Sequence, residues 1–173
     1  VHRPGREVDD IKDLEKAYVR DYIDGDKARW EHDNLIDVYR KNGVDVYYVE
    51  ETDEECPNAM FCHDLVLGTP EGVIITRPGI EVRSKEVKYV AQTVSSIGVP
   101  IVRTINGSGI FDGACATWVD KETVFVGTGT RCNQEGLRQV SETFRSMGVK
   151  NIIELSIARN QNHLDGFLSI VDT

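Results

Sequence analysis

Apolar positions along this chain return with two alternating periods. Val87, Val90, Ala91, Val94 and Ile97 lie at helical spacing between Ser84 and Gly98, which predicts an amphipathic helix closed by a glycine. Leu137, Val140, Phe144 and Met147 repeat that spacing between Leu137 and Gly148. Both helices end in Gly-Val, at 98–99 and at 148–149, and each is followed by a short β-type run, Pro100-Ile101-Val102 and Asn151-Ile152-Ile153. β-type runs also precede them, Gly72 to Ile75 and Thr123 to Val126. The match continues beyond the helices, where Phe111 to Asp120 parallels His163 to Asp172. A weaker copy comes first. It predicts a helix from about Asp26 with Leu35, Val38 and Tyr39 on its apolar face, a stop at Gly43-Val44, a strand over Val46 to Val49, and a closing run Met60 to Leu67.

Each copy reads as strand, helix, strand, polar loop, strand, which divides the chain into modules at 1–67, 68–120 and 121–173. A unit of that length cannot bury its own apolar face and must stack on its neighbours. Strands alternating with helices predict an α/β fold. The modules are expected to stand around an axis like propeller blades with helices outside. An ordinary doubly wound sheet, whose βα units also resemble one another, is the alternative.

Composition narrows the partners. The 173 residues carry 29 acidic and 20 basic side chains, a formal charge of −9, which argues against nucleic acid because phosphate binding needs a basic face. No apolar run reaches the roughly 18 to 20 residues that cross a bilayer, and Val1-His2-Arg3-Pro4-Gly5 is not the start of a secretory signal. The opening, without Met, predicts residues missing upstream. Cys56, Cys62, Cys115 and Cys132 form no CxxC pair and read as reduced thiols of a cytoplasmic protein. Their spacings match no familiar zinc arrangement, so neither a metal nor another cofactor is expected. Cys62 and Cys115 fall where buried strands are predicted.

Polar residues recur at one point of each copy. The loop before the last strand carries Asp64 in the first, Asp112 in the second, and His163 with Asp165 in the third. Taken singly, Asp64 reads as a solvated acid at a strand end, Asp112 before Gly113 as a turn former, and His163 after Asn160-Gln161-Asn162 as a surface histidine. Taken together, equivalent positions in a ring of modules converge on its centre. Carboxylates gathered there suit a planar cation, because guanidinium presents forked donors that carboxylates accept in pairs.

These residues resemble a known superfamily, the penteins, which includes arginine deiminases, dimethylarginine dimethylaminohydrolases and amidinotransferases. Pro57-Asn58-Ala59-Met60-Phe61-Cys62-His63-Asp64-Leu65 is similar to the family's P-N-x-M-F-T-R-D-L, and Asp112-Gly113-Ala114-Cys115 stands where the family has E-G-G-D. His163-Leu164-Asp165-Gly166 carries the H-L-D-G motif intact, and Val126 to Gly136 looks like the segment that follows the E-G-G-D strand. The resemblance implies a five-bladed ring of ββαβ modules, about three of them in this chain. It implies that Asp64, Asp112 and Asp165 hold a guanidinium, that Asn58 also binds substrate, and that His163, as general acid and base, is catalytic together with Asp112. A substrate carboxylate would need a cation: Arg131 is the first candidate and Arg83 the second, although on sequence alone each reads first as a surface arginine. The family nucleophile is a cysteine near the end of the last blade, which is expected to lie beyond this chain. Three departures stand out: Asp112 for Glu, Cys115 for the Asp of E-G-G-D, and His63 for Arg.

The implied activity is hydrolysis of a guanidino C–N bond in arginine or a methylarginine through a covalent thioether. Amidino transfer to an amine is the alternative. A non-catalytic guanidinium-binding protein, or a structural pentein, are the readings without chemistry. The expected partner is a small cationic guanidino compound, with no nucleic acid and no membrane, and the open edge of an incomplete ring would favour homo-oligomers.

Overall fold

The computed structural model describes residues 1–50, 52–158 and 161–171. The chain forms two compact units, Val1–Cys62 with Val82–Thr93, and His63–Glu81 with Val94–Thr173.

The second unit contains two sheets of the same design. In one, β1 (Val66–Thr69) pairs antiparallel with β2 (Gly72–Ile75), and β2 pairs parallel with β3 (Ile101–Thr104). In the other, β4 (Ala116–Trp118) pairs antiparallel with β5 (Thr123–Thr128), and β5 pairs parallel with β6 (Asn151–Ser156). A helix makes each parallel crossover, as geometry requires. Between β2 and β3 it is α2 (Val87–Ser96), and between β5 and β6 it is α3 (Gln134–Ser146). Each sheet therefore takes its first strand from the end of one sequence repeat and its other two from the next.

α3 forms where the spacing places it. Asn133 caps it by accepting the Gly136 N–H, satisfying one orphan donor of the first turn. Val140 and Phe144 are fully buried, in a core with Ile74, Phe111, Cys115, Val124 and Val126. Trp118 meets Phe144 edge-on with ring centroids 4.9 Å apart, an aromatic geometry worth more than its area alone. α2 is shorter than its apolar spacing predicts, because a 3-10 turn over Glu81–Lys85 precedes it.

The first unit departs from the expectation. α1 (Gly25–Lys41) starts one residue earlier than the pattern predicts, capped by Asp24 accepting the Lys27 N–H. Its buried residues are Gly25 and Ile36, whereas Leu35, Val38 and Tyr39 are exposed. The apolar triplet is thus not the inward face. Val46 to Val49 does not join a sheet; Val1 donates to the Tyr47 carbonyl and Val49 donates back to Val1. Buried polar ties hold this unit instead. His2 bonds the Val49 carbonyl at 2.7 Å and faces Glu7 at 3.3 Å.

The last strand expected in the third repeat is a turn at Leu164 to Phe167, where the Phe167 and Leu168 N–H groups both reach the Leu164 carbonyl. Asn160 and Asp172, at the ends of that reading, lie outside the described residues. Among the described residues, no helix is long and apolar enough to cross a membrane.

Truncating Phe144 to Ala empties the centre of the second unit's core. The expected cost is about 3–5 kcal/mol, read as a lower urea midpoint with an unchanged slope.

Candidate functional site

Three loops of the second unit meet at one place, and each delivers a side chain there. A 3-10 turn at Cys62–Asp64 ends at Asp64, just before β1. Asp112 precedes the 3-10 turn Gly113–Cys115 that leads into β4. His163 comes from the segment after β6. His163 Nε2 lies 2.9 Å from Asp112 Oδ2 and 3.6 Å from Asp64 Oδ1.

Backbone contacts set this convergence. The Thr76 hydroxyl donates to the Asp64 carbonyl at 2.7 Å, tying the loop to the end of β2. Gly79 donates its N–H to Asp112 Oδ1 at 2.8 Å, and Asp112 donates its own N–H to the Arg131 carbonyl at 2.9 Å. A Cβ at Gly113 would stand 2.2 Å from the His63 carbonyl oxygen and 2.7 Å from that of Val66, so only glycine lets the Asp112 loop lie against the Asp64 loop. At Gly127 a Cβ would meet the Ile157 side chain at 2.4 Å and the fully buried Leu164 at 3.2 Å, so a side chain there would have to displace Ile157.

The electrostatics follow from that crowding. Burial opposes the charged form of His163. The hydrogen bond to Asp112 and the charges of Asp64, Asp112 and Asp165 outweigh it and raise its pKa above the ordinary 6.5. Asp165 lies on the exposed rim and pairs with His63 at 3.7 Å.

Among the described residues, the donor atoms of Asp64, Asp112 and His163 all fall within 4.8 Å of one another, the dimensions of a cation clamp. His163 Nε2 and Asp112 Oδ2 stand at hydrogen-bond distance, 2.9 Å. The arrangement as it stands is a hydrogen-bonded imidazole–carboxylate pair.

The other sequence candidates divide between the units. Arg131 belongs to this unit, and its Cδ passes 3.3 Å from the point a Cβ on Gly79 would occupy. Asn58 and Arg83 belong to the first unit. There Asn58 donates to the Ala17 carbonyl at 2.7 Å, and Arg83 is buried, bonded to Glu86 at 2.8 Å and to the carbonyls of Asn58 and Phe61. Arg83 is thus not a surface arginine; it braces the turn of the P-N-x-M-F segment.

All four cysteines are free thiols. Cys115 is buried in the short helix before β4, while Cys62 is half-buried in a 3-10 turn rather than in a strand. Burial raises all four thiols, that of Cys132 to about 12, so none is poised as a thiolate. Sequence reasoning missed Gly79, Gly113 and Gly127. The only signal was a glycine at or near a strand end, which marks a close approach without saying to what.

Two outcomes follow. Gly113→Ala should lower stability by about 1–3 kcal/mol through overpacking and separate His163 from Asp64, read by denaturant unfolding and by the change in the His163 NMR signal. His163 should titrate above 6.5. Its raised folded value means that the stability difference between the parent and His163→Gln is full below 6.5 and fades as pH rises through that folded value. Paired melts across pH check this.

Known proteins share this fold. The curated dimethylarginine dimethylaminohydrolase of Streptomyces coelicolor is 28% identical over 131 residues, 76% of this chain and 50% of that protein. The chain spans about half the length of the curated relatives it matches. A crystal structure of a dimethylarginine dimethylaminohydrolase mutant from Pseudomonas aeruginosa with citrulline superposes with TM-score 0.75 at 27% identity, over 91% of this chain and 60% of that one. The N-terminal domain of ArgZ, a cyanobacterial arginine dihydrolase, superposes with TM-score 0.77 over 95% of this chain and 59% of that one, and at 16% identity shows the fold alone. The family model for N,N dimethylarginine dimethylhydrolase, eukaryotic, matches residues 10–166. With loops, glycines and site arranged as described, the chain belongs to that family, and through it to the pentein superfamily.

Proposed function

We propose that this chain supplies the guanidinium-binding and acid–base part of a hydrolase that releases dimethylamine from a dimethylarginine and leaves citrulline. The observation that carries the proposal is His163, its pKa raised, bonded to Asp112 at 2.9 Å and facing Asp64 at 3.6 Å. An imidazole held ready to carry a proton among carboxylates fits a cationic substrate that must lose an amine.

In this reading a thiolate from outside this chain attacks the central guanidinium carbon. The C–N bond to dimethylamine breaks, and His163 gives its proton to the departing nitrogen. Water then adds to the amidino-thioether carbon, losing a proton to His163. The thiolate leaves and the ureido group of citrulline remains. The four cysteines present are poor candidates for the nucleophile, because burial keeps them protonated. Arg131 is the first candidate for the substrate carboxylate, since its backbone already touches the Asp112 loop. Arg83, with donors given to Glu86 and two carbonyls, acts on the shape of its own turn.

The test is product analysis on the protein as its gene encodes it, with dimethylarginine, arginine and an amine acceptor offered together. Citrulline with dimethylamine is expected, and His163→Ala should slow turnover by about 10²- to 10⁴-fold. A new guanidino compound formed on the acceptor would make it an amidinotransferase. Unchanged turnover in the variant would remove His163 from the mechanism.

A further inference from the structure

His2 belongs to the first unit, whereas Asp64, Asp112 and His163 belong to the second, and it is 4% exposed. Each of its ring nitrogens faces an acceptor. Nδ1 stands 2.7 Å from the Val49 carbonyl oxygen, and Nε2 stands 3.3 Å from Glu7 Oε1. A neutral imidazole has one N–H and one lone pair, so it can serve one of these acceptors and must turn its lone pair on the other. The imidazolium serves both. Glu7 is itself 5% exposed, and the same oxygen accepts the Gly5 N–H at 2.6 Å.

We propose that His2 and Glu7 form a proton-dependent latch, closed when the ring is an imidazolium, that holds the 3-10 turn Arg6–Val8 to the segment ending at Val49. Backbone bonds from Val1 to the Tyr47 carbonyl and from Val49 to the Val1 carbonyl run beside it, so the latch closes the end of a short pairing. Loss of the proton leaves either the Val49 carbonyl or the Glu7 carboxylate facing a lone pair where water does not reach, and an unmatched buried acceptor is costly. Relief is close by. Arg6 and Glu7 line a cavity of about 630 Å³ with Ile11, Lys16 and Ala17, space into which the carboxylate can turn and be hydrated.

The surrounding charges act in both directions. Burial and the Val1 amino group oppose the imidazolium of His2. The hydrogen bond and charge of Glu7, with the Val49 carbonyl, outweigh them and raise its pKa above the ordinary 6.5. Arg3 gives its donors to Asp33 of α1, while Arg6, Glu50, Glu54 and Tyr89 of α2 line a second cavity that the ring borders. Burial opposes the charge of Glu7 too, and the bonds from His2 and Gly5 overcome it and hold its pKa below 4.5. The stability from His2 is therefore full below 6.5 and lost as pH rises through its raised folded value. That from Glu7 is present above 4.5 and lost as pH falls through its lowered value.

The experiment is NMR on the ¹⁵N-labelled protein, with the histidines assigned through their backbones. Just below pH 6.5 both ring nitrogens of His2 should carry protons, and the ring should titrate above that pH. As pH rises through the His2 midpoint, the Gly5 and Val49 amides should exchange with solvent about tenfold faster relative to the amides of β5. Glu7→Gln offers the ring an amide that can donate to Nε2 while Nδ1–H stays on Val49. Its His2 midpoint should fall below 6.5, and its Val49 amide should keep pace with β5. A parent ring with a single N–H below pH 6.5 would overturn the proposal, as would Gly5 and Val49 amides that follow β5 through the midpoint. Both are read on the parent, so a variant that misfolds does not affect them. A midpoint unmoved by Glu7→Gln would equally remove Glu7 from the latch.

Discussion

The site depends on one contact, the hydrogen bond between His163 and a carboxylate buried almost completely beside it. A buried carboxylate needs partners in fixed places, because an unmatched charge in the interior costs several kcal/mol. Asp112 finds them in the Gly79 N–H and the imidazole, which come from segments far apart in the chain. Satisfying that one group therefore brings the end of β2, the turn before β4 and the segment after β6 to a single point. Glycines at 79 and 113 stand where a Cβ would hold these segments apart.

Two opposed effects act on His163, and their outcome sets what the site can do. Desolvation favours the neutral ring, while three carboxylates favour the cation, and the carboxylates prevail. A protonated imidazole can serve as an acid toward a departing amine. The same carboxylates make the place hospitable to a second, planar cation. The thiols respond in the opposite sense, since burial with acidic neighbours holds Cys115 and Cys132 protonated. The chain thus carries an imidazole with a raised pKa among carboxylates, and buried thiols that stay protonated.

The first unit is organised differently. Much of its interior is polar: the Arg83–Glu86 pair, the bond of His2 to Val49, and Asn58 on Ala17. Such ties are directional, so they can define a turn without a sheet, provided every member is satisfied. Arg83 illustrates this by directing its donors to the carbonyls of Asn58 and Phe61, just ahead of the segment that ends in Asp64.

The helices α2 and α3 and the strands around them were legible in the sequence, because amphipathic spacing is local and each element has one apolar face to hide. The repeat placed Asp64, Asp112 and His163 at equivalent positions for the same reason. Leu35, Val38 and Tyr39 misled, because an apolar triplet names a face but not whether anything packs on it; Ile36 is the residue that does. The run after His163 has strand-like alternation, yet it turns at Leu164, since a strand exists only where a neighbour offers its backbone. Gly79 had no signal in the sequence at all as the anchor of Asp112. Its role rests on a backbone N–H, which every residue but proline owns, and only the tertiary structure decides where that group points.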